Sequence, residues 1–200
     1  GFHSGFQTPL EVMVYTSIQE RATMVFYLNV AQACEQEDPA LAKVLRRIAR
    51  DETLHYTFYR DAAKMHLDVN PNLVVLVTDV MKKFEMPGSG MPDYKRRMDI
   101  IAKHAHYGPS EFYQQVIDEV MKYWDIANLQ PTYPEARVAL DEAIKHHDRL
   151  GRIAMRGMRE RKRVLMPTVE EMIDEINFEA DHQHNGHGKL KLGDDGQVAA

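Results

Sequence analysis

The sequence predicts an all-α protein built as a helical bundle, and three observations carry that expectation. Apolar residues recur at spacings of three and four through most of the first 165 positions, the period of a helix face turned toward a partner. Prolines stand where first helical turns would lie, at Pro9, Pro39 and Pro134, positions at which the missing N–H costs little. No run of alternating apolar and polar residues reads as a convincing strand.

The elements follow in order. A first helix is expected from Pro9 to about Glu35. The segment "EQEDPALAKVL" reads as a short turn, with Asp38 as N-cap and Pro39 at the first helical position. A second helix then runs to about Leu67. "NPNLVVLVTDVMKKF" is a third, more apolar helix, stopped by the Pro and Gly of "EMPGSGMPD". Further helices are expected from about Asp93 to His106, Ser110 to Ile126 and Pro134 to Leu165, with a short one, "TVEEMIDEI", after Pro167. From Asp181 the polar, Gly-rich "DHQHNGHGKLKLGDDGQVAA" has too few apolar side chains to pack and is expected to be a disordered tail. Residues 1–180 then form a single domain.

Composition narrows the function. The chain has 200 residues, 44% of them hydrophobic, and a net charge of −5, which gives no general case for nucleic acid. Twelve methionines are more simply adaptable core filler than the lining of an apolar channel. Cys34 is the sole cysteine, so no internal disulfide forms and a reducing, cytoplasmic setting is expected. The start, "GFHSGFQTPLEV", lacks the basic and apolar regions of a signal peptide. The longest apolar run, "NLVVLVTDV", falls far short of the roughly 20 residues of a membrane span. A chain that begins at Gly1 rather than Met leads us to expect further sequence upstream.

One stretch resists the apolar pattern. Leu41, Leu45, Ile48, Glu52, His55, Tyr59, Ala62 and His66 step by four and three along the second helix, so a carboxylate and an imidazole interrupt a stripe expected to face inward. A buried carboxylate without a partner costs several kcal/mol, very roughly. On the first helix, Met13, Ser17, Glu20, Met24, Tyr27 and Ala31 make a matching stripe. Measured from the turn near Glu37, Glu20 lies 17 residues back and Glu52 15 forward, depths of roughly 25 and 22 Å. The two glutamates and His55 should therefore converge at one level. A shared proton, an arginine or a metal would offset their repulsion. A Glu facing Glu-x-x-His is half of the carboxylate-bridged di-iron pattern of ferritin-like bundles, because residues at i and i+3 point at one place. We expect metal there, with a hydrogen-bonded polar core as the alternative.

Other histidine groups read differently. Glu179 and His182 repeat the spacing at the edge of the polar tail, where solvated side chains are expected. Glu142 and His146 read as surface, and His104 and His106 as exposed or capping.

Two strings carry a resemblance. "YTSIQERAT" (Tyr15 to Thr23) and "ARDETLH" (Ala49 to His55) closely resemble the second-half motifs of the soluble acyl-acyl carrier protein desaturases, in the same order and at a matching separation. The resemblance extends from about residue 10 to 165. It implies a ferritin-like bundle and dioxygen-dependent insertion of a double bond into an acyl chain held on acyl carrier protein. It makes Glu20 a terminal ligand, Glu52 a bridging ligand and His55 the nitrogen ligand of a pair of iron(II) ions. Thr23 would assist on the dioxygen side, and Asp51 would orient a ligand histidine of the other half-site. Without the resemblance, Thr23 would read as a helical residue bonded to its own backbone and Asp51 as a solvated charge.

The resemblance also implies a ferredoxin-type electron donor and a homodimer. The family's other Glu and Glu-x-x-His come from upstream helices, whereas only 19 residues precede Glu20. The chain is therefore expected to be the C-terminal portion of a longer enzyme, a bundle lacking its N-terminal helices and possessing half of the site. Between Lys145 and Arg163 eight Lys or Arg face two acidic residues. Arg152, Arg156 and Arg159 on that helix suit an acidic carrier protein, and no aromatic interleaving favours nucleic acid. The alternatives are another di-iron bundle, such as an iron oxidase or radical-generating reductase subunit, and a non-catalytic helical interaction protein.

Overall fold

The computed structural model describes residues 5–165, with side chains to residue 159, and every regular element among them is helical. The short helix expected after Pro167 and the tail from Asp181 lie outside the described residues. Among the described residues there are seven α-helices: α1 Pro9–Cys34, α2 Pro39–Val69, α3 Val74–Lys83, α4 Tyr94–His104, α5 Pro109–Phe112, α6 Asp118–Tyr123 and α7 Pro134–Leu165. A π segment, Tyr113–Ile117, joins α5 to α6. The compact unit containing the first six ends at Met158, within α7.

Local chemistry sets the boundaries. Thr8 and Glu11 form a reciprocal cap on α1: the Thr8 N–H reaches Glu11 Oε2 at 2.9 Å and the Glu11 N–H reaches Thr8 Oγ1 at 3.3 Å. Asp38 Oδ1 accepts from the Leu41 N–H at 2.9 Å and Pro39 starts the helix, as the sequence predicts. α4 stops at His104, two residues before its expected end, where His106 takes φ 51°. The helix expected from Ser110 to Ile126 contains the π segment and ends at Tyr123, two residues before Asp125 turns to φ 54°. Widening to a π turn disturbs the usual carbonyl partners. Arg21 Nε, from α1, donates to the Gln115 carbonyl at 2.7 Å.

α1 and α2 pack side by side over most of their length, and α1 is further flanked by α3 and the π segment. Val14, Ile18, Ala22 and Val25 of α1 join Val77 and Val80 of α3 and Val116, Val120 and Trp124 in one core. The buried face of α2 is Ala42, Ala49, Tyr56, Ala63 and Leu67, and all but Ala42 join this core. That corrects the expected inward stripe of α2. Leu41 is 44% exposed, His66 is exposed, and Ile48, Glu52, Tyr59 and Ala62 are only half-buried. Alanines take three of the five buried positions of α2, and the larger Leu41 and Ile48, one position away, are left at the edge. The α1 stripe holds better: Ser17, Met24 and Ala31 are buried, with Met13, Glu20 and Tyr27 half-buried.

Polar groups pin α2 to the rod beneath it. The Tyr56 hydroxyl donates to Glu119 at 2.8 and 3.0 Å, Trp124 Nε1 donates to the Arg60 carbonyl at 3.0 Å, and the Tyr123 hydroxyl donates to Asp61 at 2.6 Å. The Arg60 guanidinium lies 3.6 Å from the Tyr123 ring centroid. Along α7, Ala136, Ala139, Ala143 and Gly151 are buried, and Thr78 and Ser110 donate to the Ala139 and Ala154 carbonyls, each at 2.9 Å. No helix among the described residues is long and apolar enough to cross a membrane.

Candidate metal centre

Glu20, at mid-length of α1, and Glu52 and His55, at mid-length of α2, come together at one level. One ligand atom from each lies within 4.8 Å of the others. His55 Nδ1 is 3.5 Å from Glu20 Oε2 and 3.4 Å from Glu52 Oε2. Two atoms bound to one ion at about 2.1 Å stand roughly 3 to 4 Å apart, so the spacing suits a shared cation. The glutamate side chains are 13% and 18% exposed, that of His55 58%. The centre is closed on the α1 side and open along the outer face of α2.

The electrostatics ask for positive charge. Burial, and then the facing Glu52 carboxyl, push the Glu20 carboxyl up to about 7. Hydrogen bonding to Glu52 and the charge of Glu20 raise the His55 imidazole above its ordinary value. Arg21, the cation next along α1, turns away: its Nε is held by the Gln115 carbonyl and its guanidinium lies 5.3 Å from the Tyr56 ring centroid. Protons or a metal are left to balance the carboxylates.

Thr23, one turn from Glu20, donates its hydroxyl to the Gln19 and Glu20 carbonyls at 3.1 and 3.0 Å. It also lines a cleft of about 670 Å³ between α1 and α4, walled by Phe26, Tyr27, Met86, Met91 and Met98 among others. Met24, by contrast, is a core residue, and Met13 packs against that core. Asp51 is exposed beside the centre on α2. Arg152, Arg156 and Arg159 are exposed on α7, at spacings of four and three that place them on one side of that helix.

The remaining groups divide. Glu142 is paired with Lys82 at 2.8 Å and exposed, but His146 is half-buried, with burial lowering its pKa; it is not the surface residue expected. His104 and His106 are exposed. Glu179 and His182 lie outside the described residues. The α4 wall of the cleft, with Arg97, Met98 and Ile101, was not foreseen as a site. Its signal is faint, because α4 buries none of its residues fully.

The chain resembles known proteins along most of its length. A profile of the family described as fatty acid desaturase matches residues 1–175. A Mycobacterium tuberculosis protein assigned by name to the acyl-[acyl-carrier-protein] desaturases, DesA1, is 31% identical over 131 residues, 65% of this chain and 38% of that protein. The palmitoyl-[acyl-carrier-protein] 4-desaturase of Coriandrum sativum is 27% identical over 80% of this chain and 44% of its own length. A stearoyl-[acyl-carrier-protein] 9-desaturase of Arabidopsis thaliana is 30% identical over 78% and 42%. The chain thus spans about two-fifths of the length of these relatives.

Proposed function

Because this chain belongs to the fatty acid desaturase family, we propose that it supplies one half of a di-iron centre for desaturating an acyl chain carried on acyl carrier protein. The observation that carries this reading is the convergence of Glu20, Glu52 and His55 within 4.8 Å, with no lysine or arginine among the described residues in an ion pair with them. The donor set fits the metal. Carboxylate oxygens and one imidazole nitrogen suit iron(II), and a carboxyl pushed up to about 7 gains most from a cation that replaces its proton. Iron bound there would supply the two-electron activation of dioxygen that removal of two hydrogens requires.

The chain's own residues do the rest. Glu20 and Glu52 hold the ligand oxygens level from two helices, and His55 contributes the nitrogen from the open side. Thr23 stands between the ligands and the cleft, so a rotation of its hydroxyl away from the Gln19 and Glu20 carbonyls presents a donor on the dioxygen side. Asp51 orients a histidine of the complementary half-site. The apolar cleft beside Thr23 has a volume within the roughly 300–1,000 Å³ of small-molecule sites and seats the acyl chain with water kept out. Arg152, Arg156 and Arg159 form the docking face for the acidic carrier protein, and a ferredoxin-type protein delivers the electrons. Delivery on a soluble carrier fits a cytoplasmic enzyme.

The test is anaerobic reconstitution of the full chain with iron(II), followed by an assay on stearoyl- and palmitoyl-carrier substrates in the longest natural form of the protein. Iron retained by the wild type and lost in Glu52→Ala, with an unsaturated product by mass spectrometry, is the expected result. Equal iron in both proteins would remove the basis of the reading.

A further inference from the structure

Tyr107, between α4 and α5, differs from the other buried tyrosines in what its hydroxyl meets. Three tyrosines are buried among the described residues. Tyr15 donates to the Glu85 carbonyl at 3.1 Å and Tyr56 to Glu119 at 2.8 Å. Tyr107, 6% exposed, has no acceptor among the described residues. Sealing a hydroxyl away without a partner costs about 1–3 kcal/mol, and no side-chain oxygen sealed from solvent among the described residues lacks one. The hydroxyl is therefore part of the Tyr107 surface that stays accessible, and it opens into the cavities that Tyr107 lines. Met86, Tyr94, Met98 and Tyr107 wall both the cleft beside Thr23 and a second cavity of about 440 Å³ that continues past Phe84 and Phe112. Phe26 holds the Tyr107 ring edge-to-face, with centroids 5.6 Å apart at 85°. The backbone bends to deliver it: His106 takes φ 51°, uncommon outside glycine, and stays exposed while Tyr107 turns inward.

We infer that Tyr107 donates a hydrogen bond to the carbonyl oxygen at the head of the bound acyl chain, an inference that rests on the acyl-chain reading of the cleft. In a mostly apolar site the few polar groups fix a ligand's orientation. A saturated chain offers such a group one acceptor, the carbonyl that joins it to the carrier arm. A neutral phenol suits that neutral oxygen, and burial raises the Tyr107 pKa, so the group stays a donor. Arg97 lines the same cleft from α4 but is exposed, and a free carboxylate would seat there instead. With the carbonyl where the two cavities meet, the chain lies along Phe26 toward Thr23 and the arm leaves past Gly108. The contact then fixes how many carbons separate the head from the level of Thr23, and so which two carbons lose hydrogen.

The test measures binding of S-stearoyl-pantetheine and S-octadecyl-pantetheine, which differ only in the carbonyl, to the longest natural form of the protein. Displacement of a fluorescent acyl-pantetheine reads both. Wild type is expected to hold the stearoyl compound about tenfold more tightly. Tyr107→Phe loses that preference and binds the octadecyl compound as wild type does. Its thermal midpoint does not fall, because the hydroxyl has no protein acceptor to lose. A preference that survives in Tyr107→Phe, or none in wild type, overturns the contact and leaves the acyl cleft standing. A midpoint that falls in Tyr107→Phe also overturns it, and assigns the hydroxyl to an acceptor on an upstream segment. Stearate held more tightly than the stearoyl compound, lost in Arg97→Gln and untouched in Tyr107→Phe, overturns it in favour of a carboxylate head. If no acyl ligand binds, with or without the carbonyl, the acyl reading of the cleft fails as well.

Discussion

Glu20 and His55 are 35 positions apart in sequence, yet Glu20 Oε2 and His55 Nδ1 stand 3.5 Å apart, because one short turn folds α2 back along α1. That contact ties protonation to fold stability. Glu20 has its folded pKa raised to about 7 from an ordinary 4.5. Between those values the folded chain keeps a proton that the unfolded chain releases, so stability falls as pH rises through the window. The raised pKa of His55 acts with the same sign: its contribution is full below its ordinary value and is lost as pH rises through the folded one. Urea unfolding of metal-free protein should therefore show lower stability at pH 8 than at pH 5, and Glu20→Gln should flatten the difference. An unchanged slope in that variant would refute the assignment.

Replacement of Glu52 separates a metal ligand from a structural polar residue. Both Glu52→Ala and Glu52→Leu should abolish iron uptake. Metal-free at pH 8, Glu52→Leu should unfold later than wild type, by about 1 kcal/mol, since it removes a carboxylate facing Glu20 and adds apolar contact. If Glu52→Leu retained iron while gaining stability, the site would be an ordinary polar pair.

Thr23→Val tests the cleft side of the centre. The hydroxyl is bonded only to carbonyls of its own helix, so stability should change by less than about 0.5 kcal/mol and iron uptake should persist. Product formed per electron delivered is the quantity expected to fall. A variant with normal coupling would return Thr23 to the role of a helical residue satisfying itself.

The basic face of α7 is tested by Arg156→Glu with Arg159→Glu in the catalytically complete protein. KM for carrier-bound substrates should rise roughly tenfold at low ionic strength, and the difference should shrink as salt is added. Unchanged KM at low salt would exclude docking there.

Tyr56→Phe probes the scaffold under the centre. The hydroxyl donates to both oxygens of Glu119 from a fully buried ring, and its loss should cost about 1.5–3 kcal/mol, read from the denaturant midpoint. A cost under about 0.5 kcal/mol would mean that water replaces the contact.

The common depth of Glu20, Glu52 and His55 was legible because the Asp38–Pro39 turn fixes where counting starts, and helical rise does the rest. The rotation of α2 was not. Counting large apolar residues put Leu41 and Ile48 inward, whereas the buried positions of α2 are Ala42, Ala49, Tyr56, Ala63 and Leu67. A stripe of bulk marks a face that wants cover, and α2 has two such faces. The π segment has no local signature either, and its Gln115 carbonyl is met by Arg21 from 94 residues away. The cleft wall on α4 was missed for a related reason: half-exposed residues leave a weak periodic signal.

The buried alanines of α2 act as a ruler. Side chains of one carbon let a neighbouring helix lie close, and the separation of α1 and α2 sets the gap across which Glu20 and Glu52 face each other. A valine at position 49, now an alanine at 1% exposure, would need room that the packed interior lacks and would shift that gap without touching either carboxylate. The spacing of the two glutamates is thus written partly in residues that never meet them.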